Sequence, residues 1–270
     1  MSRILLTGGR GGLGSELWPR LARAGYTLRI ASRRARHPGE LPEVEWAQMS
    51  LESGEGLAEA LTGADTIIHC ASSPFVRTRQ IEVNGTRRLL EEAERQRVGH
   101  FLYISIVGVD RIPYGYYQAK FAAEQVVERG GVPWTILRAT QFHSLLDLLV
   151  AWLARWPIHL RFAGFQFQTI ETGEVADRMV ELVAAGPAGR APDIGGPEVL
   201  TIEAMWRTWA EARHSKSISI ALPIPGAVGE GFRRGYNACP DRKYGRITWA
   251  EWVRQKYALA EQRDRDAEER

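Results

Sequence analysis

A short apolar segment, Arg3–Leu6, runs directly into Thr7-Gly8-Gly9-Arg10-Gly11-Gly12-Leu13-Gly14. Behind it Leu13, Leu17 and Leu21 recur every four residues, the spacing of one helix face. A strand that turns through glycines into a helix leaves few architectures open. Glycines permit a tight turn and close backbone approach, and the helix start offers unpaired N–H groups and the positive end of a dipole. A pyrophosphate suits both, so Gly8, Gly9, Arg10, Gly11, Gly12, Leu13 and Gly14 form the candidate phosphate-binding turn. Its spacing is G-x-x-G-x-x-G rather than G-x-G-x-x-G.

From Arg3 to about Arg138 short apolar runs alternate with amphipathic ones, the pattern of βαβ units around a buried parallel sheet. The strands predicted are Arg3–Leu6, Thr27–Ala31, Val44–Ala47, Thr66–Cys70, His100–Ile104 and Trp134–Leu137. Helices are expected over Gly12–Ala24, Val83–Arg97 and Tyr116–Arg129. The expected fold is α/β: a Rossmann-type, doubly wound parallel sheet with helices on both faces. The 270 residues read as one such domain. Roughly 141–170 and 197–260 would add a small C-terminal, substrate-side part, and 262–270 would be a frayed tail.

The cofactor choice is read at the end of the second strand. Sites for NAD usually place an acidic residue there to hold the ribose 2′-hydroxyl. This chain has Ser32-Arg33-Arg34, and no acid between Glu16 and Glu40. Arginine forks suit a 2′-phosphate, and Arg10 could face the same group, so NADP(H) is preferred over NAD(H).

Further on, Tyr103-Ile104-Ser105-Ile106 ends a strand with a hydroxyl, and Tyr116-Tyr117-Gln118-Ala119-Lys120 opens a helix. Tyr116 and Lys120, four apart, share one helix face, where an ammonium would favour the phenolate and lower the tyrosine pKa. Tyr116 is thus a candidate proton donor.

These residues resemble the short-chain dehydrogenase/reductase superfamily, in its extended and atypical branches that include NmrA-like proteins. The likeness runs from the glycine turn through Tyr116-x-x-x-Lys120 to Ile194-Gly195-Gly196-Pro197. It implies Gly8, Gly11 and Gly14 on pyrophosphate, Ala71 and Ser72 lining the cofactor, Tyr116 as acid and Lys120 on the nicotinamide ribose. It also implies that Arg138-Ala139-Thr140-Gln141-Phe142-His143 lines the nicotinamide and substrate, with Ala139 toward the cofactor and Gln141, Phe142 and His143 toward substrate. Ser105 would orient the carbonyl, although members usually carry two adjacent hydroxyls where this chain has Ser105-Ile106.

After Arg138 tryptophans pair at helical spacing: Trp152 with Trp156, Trp206 with Trp209, Trp249 with Trp252. Such pairs read first as packing faces. Thr248 with Glu251 forms a capping box, Thr201 caps the run after it, and Ala221–Gly226 reads as a loop. Phe162, Phe165 and Phe167 point to an apolar or aromatic substrate.

The expected function is an NADP(H)-dependent oxidoreductase acting on a small carbonyl or quinone-like compound. The alternatives are a non-catalytic NAD(P)-binding regulator of the NmrA-like kind and a nucleotide-sugar epimerase. Net charge is +3, yet the arginines are scattered, which argues against a nucleic-acid partner. No apolar run is long enough to span a bilayer, and the N-terminus reads as a strand rather than a signal peptide, so the expected location is the cytoplasm. Cys70 and Cys239 have no metal or disulfide spacing, so no metal is expected. Self-association is left open.

Overall fold

The structure, a computed structural model, describes residues 2–36, 44–74, 76–155, 158–215 and 218–268. In chain order it begins with β1 (Arg3–Thr7), α1 (Gly12–Arg23), β2 (Thr27–Ser32), β3 (Glu45–Gln48), α2 (Leu57–Leu61) and β4 (Thr66–His69). A π-helical turn, Gln80–Gly85, leads into α3 (Thr86–Arg95), then β5 (His100–Ile106), α4 (Gly115–Arg129) and β6 (Trp134–Ala139). There follow α5 (His143–Leu153), β7 (Ile158–Phe162), β8 (Gln166–Phe167), α6 (Thr172–Ala185), β9 (Gly189–Arg190) and β10 (Leu200–Thr201). The chain ends with α7 (Ile202–Ala212), β11 (Ile218–Leu222), α8 (Gly226–Arg233) and α9 (Trp249–Glu268).

Two compact units divide these elements. Met1–Arg138 and Thr172–Asp193 form the first, Ala139–Glu171 and Ile194–Arg270 the second. In the first, the apolar runs become a seven-stranded parallel sheet in the order β3-β2-β1-β4-β5-β6-β9, the doubly wound arrangement expected. Ile4, Leu5, Leu6, Ile67, Ile68 and Phe101 are fully buried because a sheet covered on both faces has no solvent side. α6 packs beside α1. Register then decides where chemistry can sit. Thr7 pairs with Ala31 of β2 and His69 of β4, and His69 pairs with Tyr103 of β5. The chain therefore leaves β1, β2, β4 and β5 at one sheet edge, and that edge carries the glycine turn, Ser32–Arg34, Ala71–Ser73 and Ser105.

The second unit has two small sheets, β10 with β8 antiparallel and β11 with β7 parallel. Both expected caps form. The Thr201 hydroxyl accepts from the Ala204 amide at 3.3 Å, and Thr248 and Glu251 bond reciprocally. Trp206 and Trp249 are buried, with Trp209 tilted against the first and Trp252 stacked on the second, as packing predicts; Trp152 is instead exposed, and Trp156 lies outside the described residues.

Three expectations need correction. Ala221 and Leu222 belong to β11 and Gly226 starts α8, because pairing with β7 outweighs the prolines, which fall just beyond the strand. The helix expected over Val83–Arg97 starts earlier, as the π turn from Gln80. The tail from Gln262 is helical to Glu268, in keeping with its Glu, Arg and Ala content.

Candidate active site

Gly8 adopts φ +72, and a Cβ there would lie 2.7 Å from the Ala71 amide nitrogen. At Gly14 a Cβ would lie 2.2 Å from the Gly8 carbonyl oxygen and 2.5 Å from Gly9 Cα. The turn is closed by the Gly11 amide donating to Gly8 O at 2.9 Å, and only glycine allows this closeness of strand, turn and helix. Gly11, the residue before α1, makes no side-chain cap, and the first turn holds no acidic residue. Arg10, Gly11 and Gly12 are exposed while Leu13 is buried beneath them. A helix start with uncapped amides and no competing carboxylate fits a pyrophosphate.

The arginines beyond β2 are positioned by their backbone. The Ser32 hydroxyl accepts from the Arg34 amide at 3.1 Å, Arg33 O accepts from Gln48 Nε2, and Arg34 O accepts from Trp46 Nε1. Both side chains are exposed. Such a pair of guanidinium groups at this strand end fits a 2′-phosphate.

Tyr116 and Ser72 meet. Their oxygens are 2.7 Å apart, and the Ser72 hydroxyl donates to Glu82 Oε1 at 2.6 Å, so Ser72 accepts from the tyrosine. The same Glu82 oxygen accepts from the Ser73 amide at 2.8 Å. Glu82 is fully buried, and its other oxygen has no hydrogen bond but lies 3.5 Å from Lys120 Nζ. The Lys120 ammonium, itself buried, donates to Ile104 O at 2.8 Å and sits 4.2 Å from the centre of the Tyr103 ring. Ser105 is buried at the end of β5 with its hydroxyl unpartnered among the described residues.

The lowering of the Tyr116 pKa expected from Lys120 does not occur. Burial and the Glu82 carboxylate push the phenol well above its ordinary pKa, outweighing the Ser72 hydrogen bond that favours the phenolate. Lys120 is held by Glu82 and Ile104 O rather than left to act on the phenol alone. Behind this cluster the Thr86 hydroxyl donates to Glu82 O at 2.5 Å and accepts from His69 Nε2, whose Nδ1 accepts from Thr7 Oγ1 at 2.7 Å. Burial lowers His69 to about 3, so it stays neutral in this chain of bonds. The strand before the glycine turn is thereby tied to the π turn that carries Glu82.

In the second unit Ala139 and Gln141 are buried, and Gln141 Oε1 accepts from Asn237 Nδ2 at 3.1 Å. Phe142 is half-buried where α5 begins. His143 differs from the expectation of a substrate-side group. It is fully buried, Nε2 donates to Ile247 O at 3.0 Å, and Nδ1 accepts from Thr169 Oγ1 at 2.8 Å. Both nitrogens are committed, and burial lowers its pKa to about 4, so His143 is a neutral core residue. A groove of about 670 Å³ elsewhere in this unit, lined by Arg161, Glu203, Trp206 and His214, contains none of the expected site residues. Among the described residues no cluster of three potential metal ligands occurs, and no helix is long and apolar enough to cross a membrane.

Glu82 is the residue sequence reasoning missed. A glutamate before a charged helix reads as solvated, yet position 82 lies seven before Leu89, on the face shared by Leu89 and Ala93. That periodicity was the available signal.

The model of a family described as NAD(P)H-binding matches residues 8–146. A (4-alkanoyl-5-oxo-2,5-dihydrofuran-3-yl)methyl phosphate reductase of Streptomyces griseus is 27% identical over 202 residues, 73% of this chain and 69% of that protein. Further curated relatives are spanned over less than half their length. Among solved structures, a short-chain dehydrogenase/reductase superfamily protein of Agrobacterium tumefaciens with bound NAD superposes with a TM-score of 0.74 at 19% identity, over 99% of this chain and 100% of that one. MoeE5 in complex with UDP-glucose and NAD gives 0.75 at 18% identity, over 97% and 99%.

Proposed function

Because the chain belongs to the NAD(P)H-binding family and has the fold of short-chain dehydrogenase/reductases, we propose that it is an NADP(H)-dependent oxidoreductase acting on a small apolar or aromatic carbonyl compound. The observation that carries this reading is the Gly8–Gly14 turn, closed too tightly for any side chain at Gly14, with Arg33 and Arg34 exposed at the same sheet edge. The amides of Gly12 to Gly14 would hold the pyrophosphate, and the two arginines the 2′-phosphate. A bound nicotinamide supplies or accepts the hydride. Tyr116 is half-buried at that edge, and its hydroxyl supplies the proton to the developing alkoxide. The likeness to a reductase supports the direction of reduction.

The test is the dissociation constants of NADPH and NADH for wild type and for the Arg33→Ala/Arg34→Ala double variant. NADPH binding at least about tenfold tighter, with the preference abolished in the variant, locates some 1.4 kcal/mol of 2′-phosphate recognition on these arginines. Equal affinity in wild type removes the NADP preference, and no binding of either removes the proposal.

A non-catalytic regulator of the NmrA-like kind is the second reading, favoured by the engagement of Lys120 with Glu82 and Ile104. It requires that wild type and Tyr116→Phe bind NADPH equally and that neither consumes it, whichever carbonyl or quinone is offered.

A further inference from the structure

Glu82 is fully buried, and its Oε1 is linked to Tyr116 through a single hydroxyl, that of Ser72. Tyr116 Oη is 2.7 Å from Ser72 Oγ, and Ser72 Oγ is 2.6 Å from Glu82 Oε1. Both spacings suit proton transfer between oxygens. Since the serine proton points to the carboxylate, the tyrosine proton must point to the serine, so the hydroxyls are already oriented in one direction. Resting on Tyr116 as the proton-handling group, we infer that Glu82 is the inner terminus of a proton relay, a positioning residue that exchanges a proton with Tyr116 through Ser72.

The steps balance. When an alcohol gives its hydroxyl proton to Tyr116 Oη, the phenol proton moves to Ser72 Oγ and the serine proton moves to Glu82 Oε1. Three O–H bonds break and three form, and Glu82 ends as the carboxylic acid. The accompanying hydride is the nicotinamide dinucleotide's, as stated above. In reduction every transfer runs backwards, and the phenol is recharged from Glu82. Tyr116 never stands as a phenolate, which matters because burial and Glu82 both oppose that charge. Ser72 is exposed, so the buried end of the relay re-equilibrates with water through it between turnovers.

Several groups face the relay and bear on its proton. Lys120 Nζ lies 3.5 Å from Glu82 Oε2. Tyr103, whose buried hydroxyl has no partner among the described residues, senses Glu82, Tyr116 and Glu124. Tyr114 raises Tyr116 slightly from its own helix end, and His69 and Cys70 face Lys120 rather than the relay. Glu82 is thus the charge that dominates Tyr116 from outside α4.

The experiment places 3,5-difluorotyrosine at position 116, whose more acidic phenol titrates while the protein is folded, and follows it by fluorine NMR in wild type, Glu82→Gln and Ser72→Ala. NADPH affinity is measured on each protein alongside. Glu82→Gln keeps the hydrogen bond to Ser72 but removes the charge, so the midpoint falls by about one pH unit or more. Ser72→Ala removes the hydroxyl that turns to donate to the phenolate when Tyr116 ionises, so the midpoint rises. A Glu82 that is close to the phenol but not connected to it through Ser72 lowers the midpoint in Glu82→Gln and leaves it unmoved in Ser72→Ala, which overturns the relay. Unchanged midpoints in variants that fold overturn the relay. If Glu82→Gln does not fold, Ser72→Ala, an exposed site, decides alone. Failure of wild type to bind NADPH instead overturns the cofactor reading and leaves the titration readable, so the two failures are distinct.

Discussion

Two buried carboxylates, one in each unit, are used in opposite ways. Asp147 on α5 accepts from Trp209 Nε1 at 2.8 Å, Tyr257 Oη at 2.6 Å and Lys256 Nζ at 2.5 Å, so donors from α7 and α9 saturate it. Glu82 is as buried, yet one of its oxygens has no hydrogen bond and the other serves a hydroxyl that leads outward to Tyr116. A saturated buried charge locks elements together, because each donor would be stranded without it. A half-satisfied one is costly to the fold and is kept where a proton must have somewhere to go. The contrast teaches that the second unit, around Asp147, holds geometry, whereas the first keeps a buried carboxylate open to the proposed chemistry.

The largest expected effect comes from breaking the lock. Asp147→Ala removes the acceptor shared by the Trp209 indole and the Tyr257 phenol and the counter-charge of the half-exposed Lys256, and should cost about 3 kcal/mol of stability. Chemical denaturation would measure it, and NADPH affinity measured at a temperature where the variant stays folded should be unchanged. A loss below about 1 kcal/mol would mean that Asp147 is not the lock the contrast requires.

Gly14→Ala acts on the other side of the comparison. Its Cβ would overlap the Gly8 carbonyl, which must move and drag the amides of the turn with it. We expect NADPH affinity to fall at least about 30-fold, roughly 2 kcal/mol, by titration. Affinity within threefold of wild type would detach the turn from the cofactor. Gly12→Ala is the matched control, since a Cβ there meets nothing within 4 Å.

How legible these features are in sequence follows the same division. The six long strands and the glycine turn could be read because a sheet buried on both faces demands unbroken apolar runs, and because a closed turn demands glycine. β9, only Gly189–Arg190, carries no such run; its place depends on pairing with Thr135 and Ile136. β11 was hidden by the prolines that follow it. Tyr116 and Ser72 were named as site residues for separate reasons, and nothing in spacing announced that they touch. Lys120 was named by its spacing from Tyr116 and His143 by its place after the sixth strand, but neither reveals that a buried partner has claimed each one. Burial of a charged or polar side chain is a tertiary fact, and in sequence it shows only as a polar residue on an apolar face, as at Glu82 and Asp147.

The smallest effect sharpens the comparison through pH. Burial holds His69 near 3 and His100 near 4 in the first unit, and His143 near 4 in the second. Each folded pKa lies below the unfolded value of about 6.5, so the unfolded chain takes up the proton first as pH falls. The stability these neutral rings contribute is complete above about pH 6.5 and is lost as pH falls toward 4. Each ring adds roughly 1.4 kcal/mol of loss per pH unit across that window. Replacing His143 with Gln removes one ring from the second unit and should flatten the decline by that amount between pH 6 and 5, read from denaturant unfolding at several pH values. The slope is the informative quantity, since a lost bond to Thr169 or Ile247 lowers stability equally at every pH. Parallel profiles for wild type and His143→Gln would mean that His143 already carries its proton in the folded chain, and that the second unit, unlike the first, does not keep its buried ring neutral.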